Sequence, residues 1–335
     1  MFQLQRKWKI NMDGSLKDLE CYFKLMTMNG ATSVFHIAIK LNIFQTLSSK
    51  PLKANELSER LGYDKNALEL ILKSLCSIDV VIQDGEEFLL APVMQFLNSN
   101  YQNLSNEYWD HLDQFVKTGA PLHQMDNVAQ SEEYYQQQVY SLYWMMRPSA
   151  EAAAHMLGIG KTRMGKCVLD LGAGSAIWSM VFARNDPNAT ITVNDWPAVL
   201  DLAKTLIEKE GVASQCSFLP GNYHEIDLKE NSYDIAILAN VTHLETEEKL
   251  IALFKKIRFW LKEKGELIIF DIFQTEEGKA TASLYELGLA LRTENAKVFS
   301  QSELELLLTE AGLKVSGFSH IQTAPNIMGY IVSTK

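Results

Sequence analysis

Apolar positions recur at three-and-four spacing over residues 19–28 and 31–47, and this rhythm predicts two amphipathic helices. A short helix opens in Lys53-Ala54-Asn55-Glu56-Leu57 and stops at Leu61-Gly62-Tyr63-Asp64. Asp64 then stands where a helix cap is needed, ahead of Lys65–Ser77, whose Leu68, Ile71, Leu72 and Leu75 share one face. Next come two short apolar runs, Val80-Val81-Ile82 and Glu87-Phe88-Leu89-Leu90, separated by Gln83-Asp84-Gly85-Glu86. Asp-Gly between such runs is a strong hairpin signal, because glycine accepts the positive φ that tight hairpin turns demand.

Helix, helix, hairpin is the order of a winged helix. A nucleic-acid role is not expected of it, since the would-be recognition helix carries only Lys65 and Lys73, with Glu69 offsetting one. The expected role is packing against a second subunit. Residues 101–157 read as helical and rich in aromatic side chains and methionine: Tyr108, Trp109, Phe115, Tyr140, Tyr143, Trp144, Met145 and Met146. Most of these suit a core, yet such a segment also suits an adaptable, flat-walled pocket for an aromatic ligand. His111 and His123 lie in the same region as candidates to touch substrate.

From Lys166 the pattern changes to strands alternating with helices, which implies a parallel sheet covered on both faces. Strands are expected over residues 167–171, 190–193, 216–219, 233–238, 266–270, 314–319 and 327–332. The first ends in Asp170-Leu171-Gly172-Ala173-Gly174-Ser175-Ala176. Glycines there let the backbone turn tightly and approach a ligand closely. The second ends in Asn194-Asp195, a carboxylate placed to bond ribose hydroxyls. Together they point to an adenosine-containing ligand.

Composition narrows the partners. The chain has 335 residues, 47% hydrophobic and 21% charged, enough for two cores. Its formal net charge of −10 disfavours phosphate backbones. Four scattered cysteines without a CxxC pair fit small buried hydrophobes in a reducing compartment. The first fifteen residues do not read as a signal peptide, and no run of about eighteen apolar residues is present. A cytoplasmic protein without a membrane partner is expected.

The glycine motif resembles the first motif of class I S-adenosylmethionine-dependent methyltransferases. Asn194-Asp195-Trp196-Pro197 is similar to their "DLP" element, and Pro220-Gly221-Asn222-Tyr223 to their "GD-x-F" element. Leu261-Lys262-Glu263-Lys264-Gly265-Glu266-Leu267 is similar to their "LKPGG" entry into the fifth strand. With the winged-helix front end, the whole order resembles the small-molecule O-methyltransferases: plant caffeate-type, hydroxyindole, and bacterial antibiotic and pigment tailoring enzymes. The resemblance implies a doubly wound seven-stranded, Rossmann-like α/β fold with an N-terminal, mostly helical dimerisation domain. Domain spans of 1–100, 101–160 (a helical lid) and 161–335 (the cofactor domain) are expected.

It also implies S-adenosyl-L-methionine as cofactor, a hydroxylated small molecule as substrate, and a homodimer. Gly172 and Gly174 would line the methionine part, Asp195 the ribose, and Asn222 and Tyr223 the adenine edge. Asp170, Trp196 and Asn240 complete the implied cofactor set. Tyr143, Trp144, Met145, His111 and Asp271 form the implied substrate set, with Asp271 lining the entrance. His243 in Asn240-Val241-Thr242-His243 falls where the family keeps its catalytic base, usually within "H-D-W". Deprotonating a phenol or enol needs a group that titrates near neutrality, as histidine does.

Several positions depart from the family. Asn222 replaces an acid, and Ala176 the third glycine. Leu244 and Glu245 replace the Asp and Trp after the histidine; Glu245 reads as a solvated helix cap, with orientation of the imidazole as the alternative. The segment from Arg292 to Ser300 is closer to the bacterial branch. His224 reads as surface, and His36, His155 and His320 show no paired motif. No Asp-Asp-Asn set like that of the metal-dependent O-methyltransferases is visible, so metal independence is expected. The alternatives are N- or C-methylation, non-methylating chemistry on the same cofactor, and a ligand-responsive regulator that binds DNA.

Overall fold

The computed structural model describes residues 16–96, 106–122, 128–294 and 296–335. His123, singled out above, lies outside the described residues, as do Asn295 of the Arg292-to-Ser300 segment, the side chain of Tyr140 and the first fifteen positions. The chain divides into two compact units, Met1–Ser105 and Asn106–Lys335.

The first unit runs α1 (Leu16–Lys40), α2 (Ile43–Leu47), β1 (Leu52–Lys53), α3 (Ala54–Leu61), α4 (Lys65–Ser77), β2 (Val81–Asp84), β3 (Glu87–Leu90) and α5 (Pro92–Phe96). The helix expected to break near Gly30 continues to Lys40, and the break comes at Asn42, which adopts φ 57. Asp64 caps α4 as expected, its side chain accepting from the Ala67 N–H at 2.8 Å. Gly62 ends α3 in the left-handed region that favours glycine. The hairpin forms one residue later than the sequence suggested: Asp84 is still paired, with Glu87, and Gly85-Glu86 make the loop. β1 was not foreseen; it pairs antiparallel with β3 to complete a three-stranded sheet. Ile43, Leu52, Leu57, Leu72, Leu75 and Phe88 form the core of this winged-helix unit.

The second unit opens with α6 (Asn106–Asp110), α7 (Leu112–Thr118) and the long α8 (Val128–Leu157). Then follow β4 (Cys167–Leu171), α9 (Ile177–Asn185), β5 (Thr190–Asp195), α10 (Pro197–Lys209), β6 (Cys216–Pro220), β7 (Tyr233–Ala239), α11 (Glu247–Trp260), β8 (Leu261–Ile272), α12 (Lys279–Ala290), α13 (Gln301–Glu310), β9 (Lys314–His320) and β10 (Met328–Thr334). The sheet order is β6-β5-β4-β7-β8-β10-β9. β10 runs antiparallel to both β8 and β9, and the other pairs are parallel. All seven expected strands are present.

Strand periodicity sorts the core into two layers. On β8, Ile268, Phe270 and Ile272 pack with α8, α9 and α10, while Leu267 and Ile269 pack with α11 and α13. Trp178 of α9 stacks on Phe270, centroids 3.9 Å apart. This double covering leaves the loops at the carboxyl ends of β4, β5, β7 and β8 as the place where polar groups can gather. No described helix is long and apolar enough to cross a membrane.

Candidate active site

β4 delivers its chain into the glycine turn. Gly172 has φ +63, and a Cβ there would lie 2.9 Å from Val241 Cγ2 and 3.5 Å from Tyr223 Cε1. The position therefore requires glycine on two counts, conformation and space. Ala176, which replaces the third glycine, also adopts a positive φ of 57 and is fully buried at the start of α9.

Two carboxylates lie under this turn. Asp195 accepts from the Gly174 N–H through Oδ2 and from the Trp196 N–H through Oδ1, both at 2.7 Å. Burial nevertheless pushes its carboxyl up to about 6, a rise to which Glu132 adds. Asp170 shares the face of β4 that carries Val168, so it points toward α9, where the Ser179 hydroxyl donates to it at 2.5 Å. Enclosure pushes its carboxyl up to about 7.

Glu132 had no sequence signal of its own. Its Oε1 accepts from the Ala198 N–H at 2.9 Å, at the start of α10. The signal was indirect: Trp196 offers no side-chain cap there, and Pro197 opens the helix, so the first turn needs an acceptor from elsewhere.

Asn194 Nδ2 donates to the carbonyls of Leu219 and Gly221 and so fixes the loop after β6. In that loop Asn222 Oδ1 accepts from the His224 N–H at 2.9 Å, so the amide shapes a local turn. Asp170 Oδ1, Ser175 Oγ, Asn194 Oδ1 and Asn240 Oδ1 are buried with no hydrogen-bond partner among the described residues. Orphaned polar atoms at the ends of three adjacent strands, beside a turn where a Cβ does not fit, suit a polar cofactor that approaches the backbone closely. Trp196 is half-buried against the same layer of the core.

The base candidate sits on a single 3₁₀ turn, Thr242–Leu244, after β7. His243 Nδ1 lies 2.6 Å from Asp271 Oδ1, and both side chains are buried. Asp271 also accepts from the Thr242 hydroxyl and, at 2.7 Å, from the Ile272 N–H. Burial alone would raise the Asp271 carboxyl, but His243 and these donors outweigh it and hold it below the usual carboxylate range. An ionised Asp271 fixes Nδ1 as the donor and leaves Nε2 as the acceptor of the neutral ring. The Tyr285 hydroxyl lies 3.4 Å from Nε2, with the rings edge-on at 87°.

The structure corrects four expectations. Asp271 does not line an entrance: it is buried behind His243 and is the carboxylate that orients the imidazole. Glu245 is neither a solvated cap nor a partner of His243. It is 7% exposed and accepts from the Tyr223 hydroxyl at 2.7 Å and from His224 Nε2 at 2.8 Å, while Thr246 caps α11. His224 is correspondingly half-buried and paired rather than free on the surface. The hydroxyl of Tyr143, expected at the substrate, is engaged within the protein: it donates to Glu210 and accepts from Arg147 at 2.7 Å. Of the remaining substrate candidates, the His111 ring closes on the Ala120 carbonyl at 3.0 Å, Trp144 is half-buried and Met145 is 37% exposed. A cavity of about 280 Å³ near the ends of β8 and β9 involves Phe273, Phe318 and His320, and none of the cofactor or base candidates lines it.

Comparison with known proteins bears on the fold and its methyltransferase domain. Residues 168–265 match the methyltransferase domain family. The chain is 24% identical to the L-tyrosine C(3)-methyltransferase of Streptomyces lavendulae, covering 95% of this chain and 93% of that one. It is 21% identical to the mitomycin biosynthesis 6-O-methyltransferase of the same organism, covering 84% of each. The structure of human N-acetylserotonin methyltransferase in complex with S-adenosylmethionine superposes with a TM-score of 0.72 at 21% identity, over 96% of this chain and 99% of that one. The fold is that of the class I methyltransferases, and residues 168–265 carry a methyltransferase domain. Small-molecule O-methyltransferases are among the relatives the chain is similar to over most of its length.

Proposed function

We propose that the chain methylates a hydroxyl of an aromatic or polyketide-like small molecule in secondary metabolism, with His243 as general base. The observation that carries this reading is the buried His243–Asp271 pair. Asp271 fixes the tautomer, so the lone pair on Nε2 faces away from the carboxylate and can take a hydroxyl proton. The ion pair formed on proton transfer is stabilised by the same 2.6 Å contact. Displacement at a sulfonium methyl needs little else from the protein beyond in-line alignment of oxygen, carbon and sulfur.

S-adenosyl-L-methionine, when bound, supplies the electrophilic methyl group. Gly172, Gly174 and Ser175 suit its amino-acid part, Asp195 its ribose hydroxyls, and Trp196, Asn222 and Tyr223 its adenine. Asn240 follows β7 with φ 58 and directs a partnerless Oδ1 to the same end of the sheet. Asp170 supports the turn from below.

A second reading is favoured by one comparison. The relative matched over 95% of the chain is a C-methyltransferase of L-tyrosine, acting at C(3). Deprotonating a phenol activates both its oxygen and its ortho carbon, so one base serves either outcome. Incubation with S-adenosylmethionine and a phenolic panel separates them. O-methylation gives a product that no longer titrates as a phenol; C-methylation leaves the phenol intact.

The same reading includes a homodimer formed through the first unit. α1 exposes Leu19, Tyr22, Phe23, Leu25 and Met26, each more than half exposed, an apolar array that a second copy would cover. Free cysteines support a reducing, cytoplasmic setting.

A further inference from the structure

Glu245 stands where the resembling family carries tryptophan, and nothing in the proposed reaction uses it. Its carboxylate is almost enclosed, and a single oxygen, Oε1, accepts both the Tyr223 hydroxyl and His224 Nε2. The other oxygen has no hydrogen-bond partner among the described residues; Lys249 Nζ lies 3.9 Å from it. Burial would raise this carboxyl, but His224 and Tyr223 hold it below its usual range. Enclosing a charge with an orphaned oxygen is unfavourable unless its bonds achieve something.

What they join is specific. Both donors belong to the loop after β6, and the Tyr223 ring lies against Gly172 in the cofactor turn. Glu245 itself is two residues from His243, and its N–H closes the 3₁₀ turn on the Thr242 carbonyl at 3.2 Å. The loop is braced on its other side by Lys256 of α11, which donates to the carbonyls of His224 at 2.7 Å and Ile226 at 3.0 Å. One carboxylate oxygen therefore bridges the loop that faces the cofactor and the turn that carries the base.

We infer that Glu245 is a positioning residue that holds Tyr223 and His224 in register with the His243 turn and so presets the cofactor pocket. This rests on the site reading above. The test is calorimetric titration of the full chain with S-adenosylhomocysteine, for wild type, Glu245→Ala, Glu245→Gln and Tyr223→Phe. Glutamine keeps an acceptor oxygen for both donors; alanine does not. Glu245→Ala should weaken binding about tenfold or more, with Glu245→Gln within about threefold of wild type. In turnover, Glu245→Ala should raise KM for S-adenosylmethionine more than it lowers kcat. Tyr223→Phe should weaken binding on its own and add nothing on top of Glu245→Ala, because the bond is already gone.

Wild-type affinity in a folded Glu245→Ala protein would overturn the inference, as would equal losses in the alanine and glutamine variants. If Glu245→Ala does not fold, wild-type affinity in a folded Tyr223→Phe protein would overturn it. Failure of the wild type itself to bind would instead remove the cofactor reading on which the inference rests.

Discussion

Asp271 on β8 and His243 on the turn after β7 meet at 2.6 Å, a buried carboxylate behind a buried imidazole. The pair is coupled through Nδ1, so Nε2 is the nitrogen through which the proposed base would act. Asp271→Asn keeps the shape and removes the charge that selects the tautomer. Turnover should fall by roughly 10²–10⁴-fold. Affinity for S-adenosylhomocysteine, measured by calorimetry, should not change, because Asp271 makes no bond to the glycine turn.

Cofactor affinity should depend on pH through Asp195. Its carboxyl is pushed up to about 6, whereas ribose hydroxyls require the ionised acceptor. Dissociation constants should therefore tighten as pH rises through about 6, with proton release on the acid side, and the dependence should vanish in Asp195→Asn. The sign for stability is opposite. The native state keeps a proton that the unfolded chain releases near 3.8, so this group makes stability fall as pH rises toward about 6. Urea denaturation of wild type and Asp195→Asn across that window checks it.

Gly172→Ala should be costly. The left-handed backbone costs a Cβ roughly 1–2 kcal/mol, and that Cβ meets Val241 Cγ2 at 2.9 Å. A lower midpoint in thermal melting, together with weaker S-adenosylhomocysteine binding, is expected. A substitution without effect on either would mean that the turn is looser than its contacts imply.

The exposed face of α1 predicts the oligomeric state. Leu19 and Phe23 are 51% and 54% exposed, one turn apart. Replacing both with glutamate should convert a dimer to a monomer in light scattering while leaving the second unit folded. A wild type that is already monomeric would contradict the homodimer.

What the sequence made legible was local. The glycine turn, the acid ending β5 and the strand alternation are each written within a dozen residues, and all of them appear where expected. The place of His243 on the turn after β7 was legible for the same reason. Its partner was not, because Asp271 lies on the next strand and is 28 positions away in sequence. Register supplies the missing step: Ala239 pairs with Phe270, so the residues that follow each of them emerge side by side. Glu245 was misread because it precedes the helix cap Thr246, a position that in isolation suggests solvent. Its burial depends on donors from a loop after a different strand. The continuity of α1 through Gly30 has a simpler cause, since one glycine costs a helix about 1 kcal/mol and the segment on either side sustains it.

The most direct test of the central claim compares wild type with His243→Asn, following the mass of a phenolic substrate incubated with S-adenosylmethionine alongside calorimetric binding of S-adenosylhomocysteine. The account predicts that wild type adds the mass of one methylene to the substrate. The variant should be about 10²-fold slower or worse while binding the cofactor product as tightly as wild type. A variant that turns over at the wild-type rate would show that His243 is not the base.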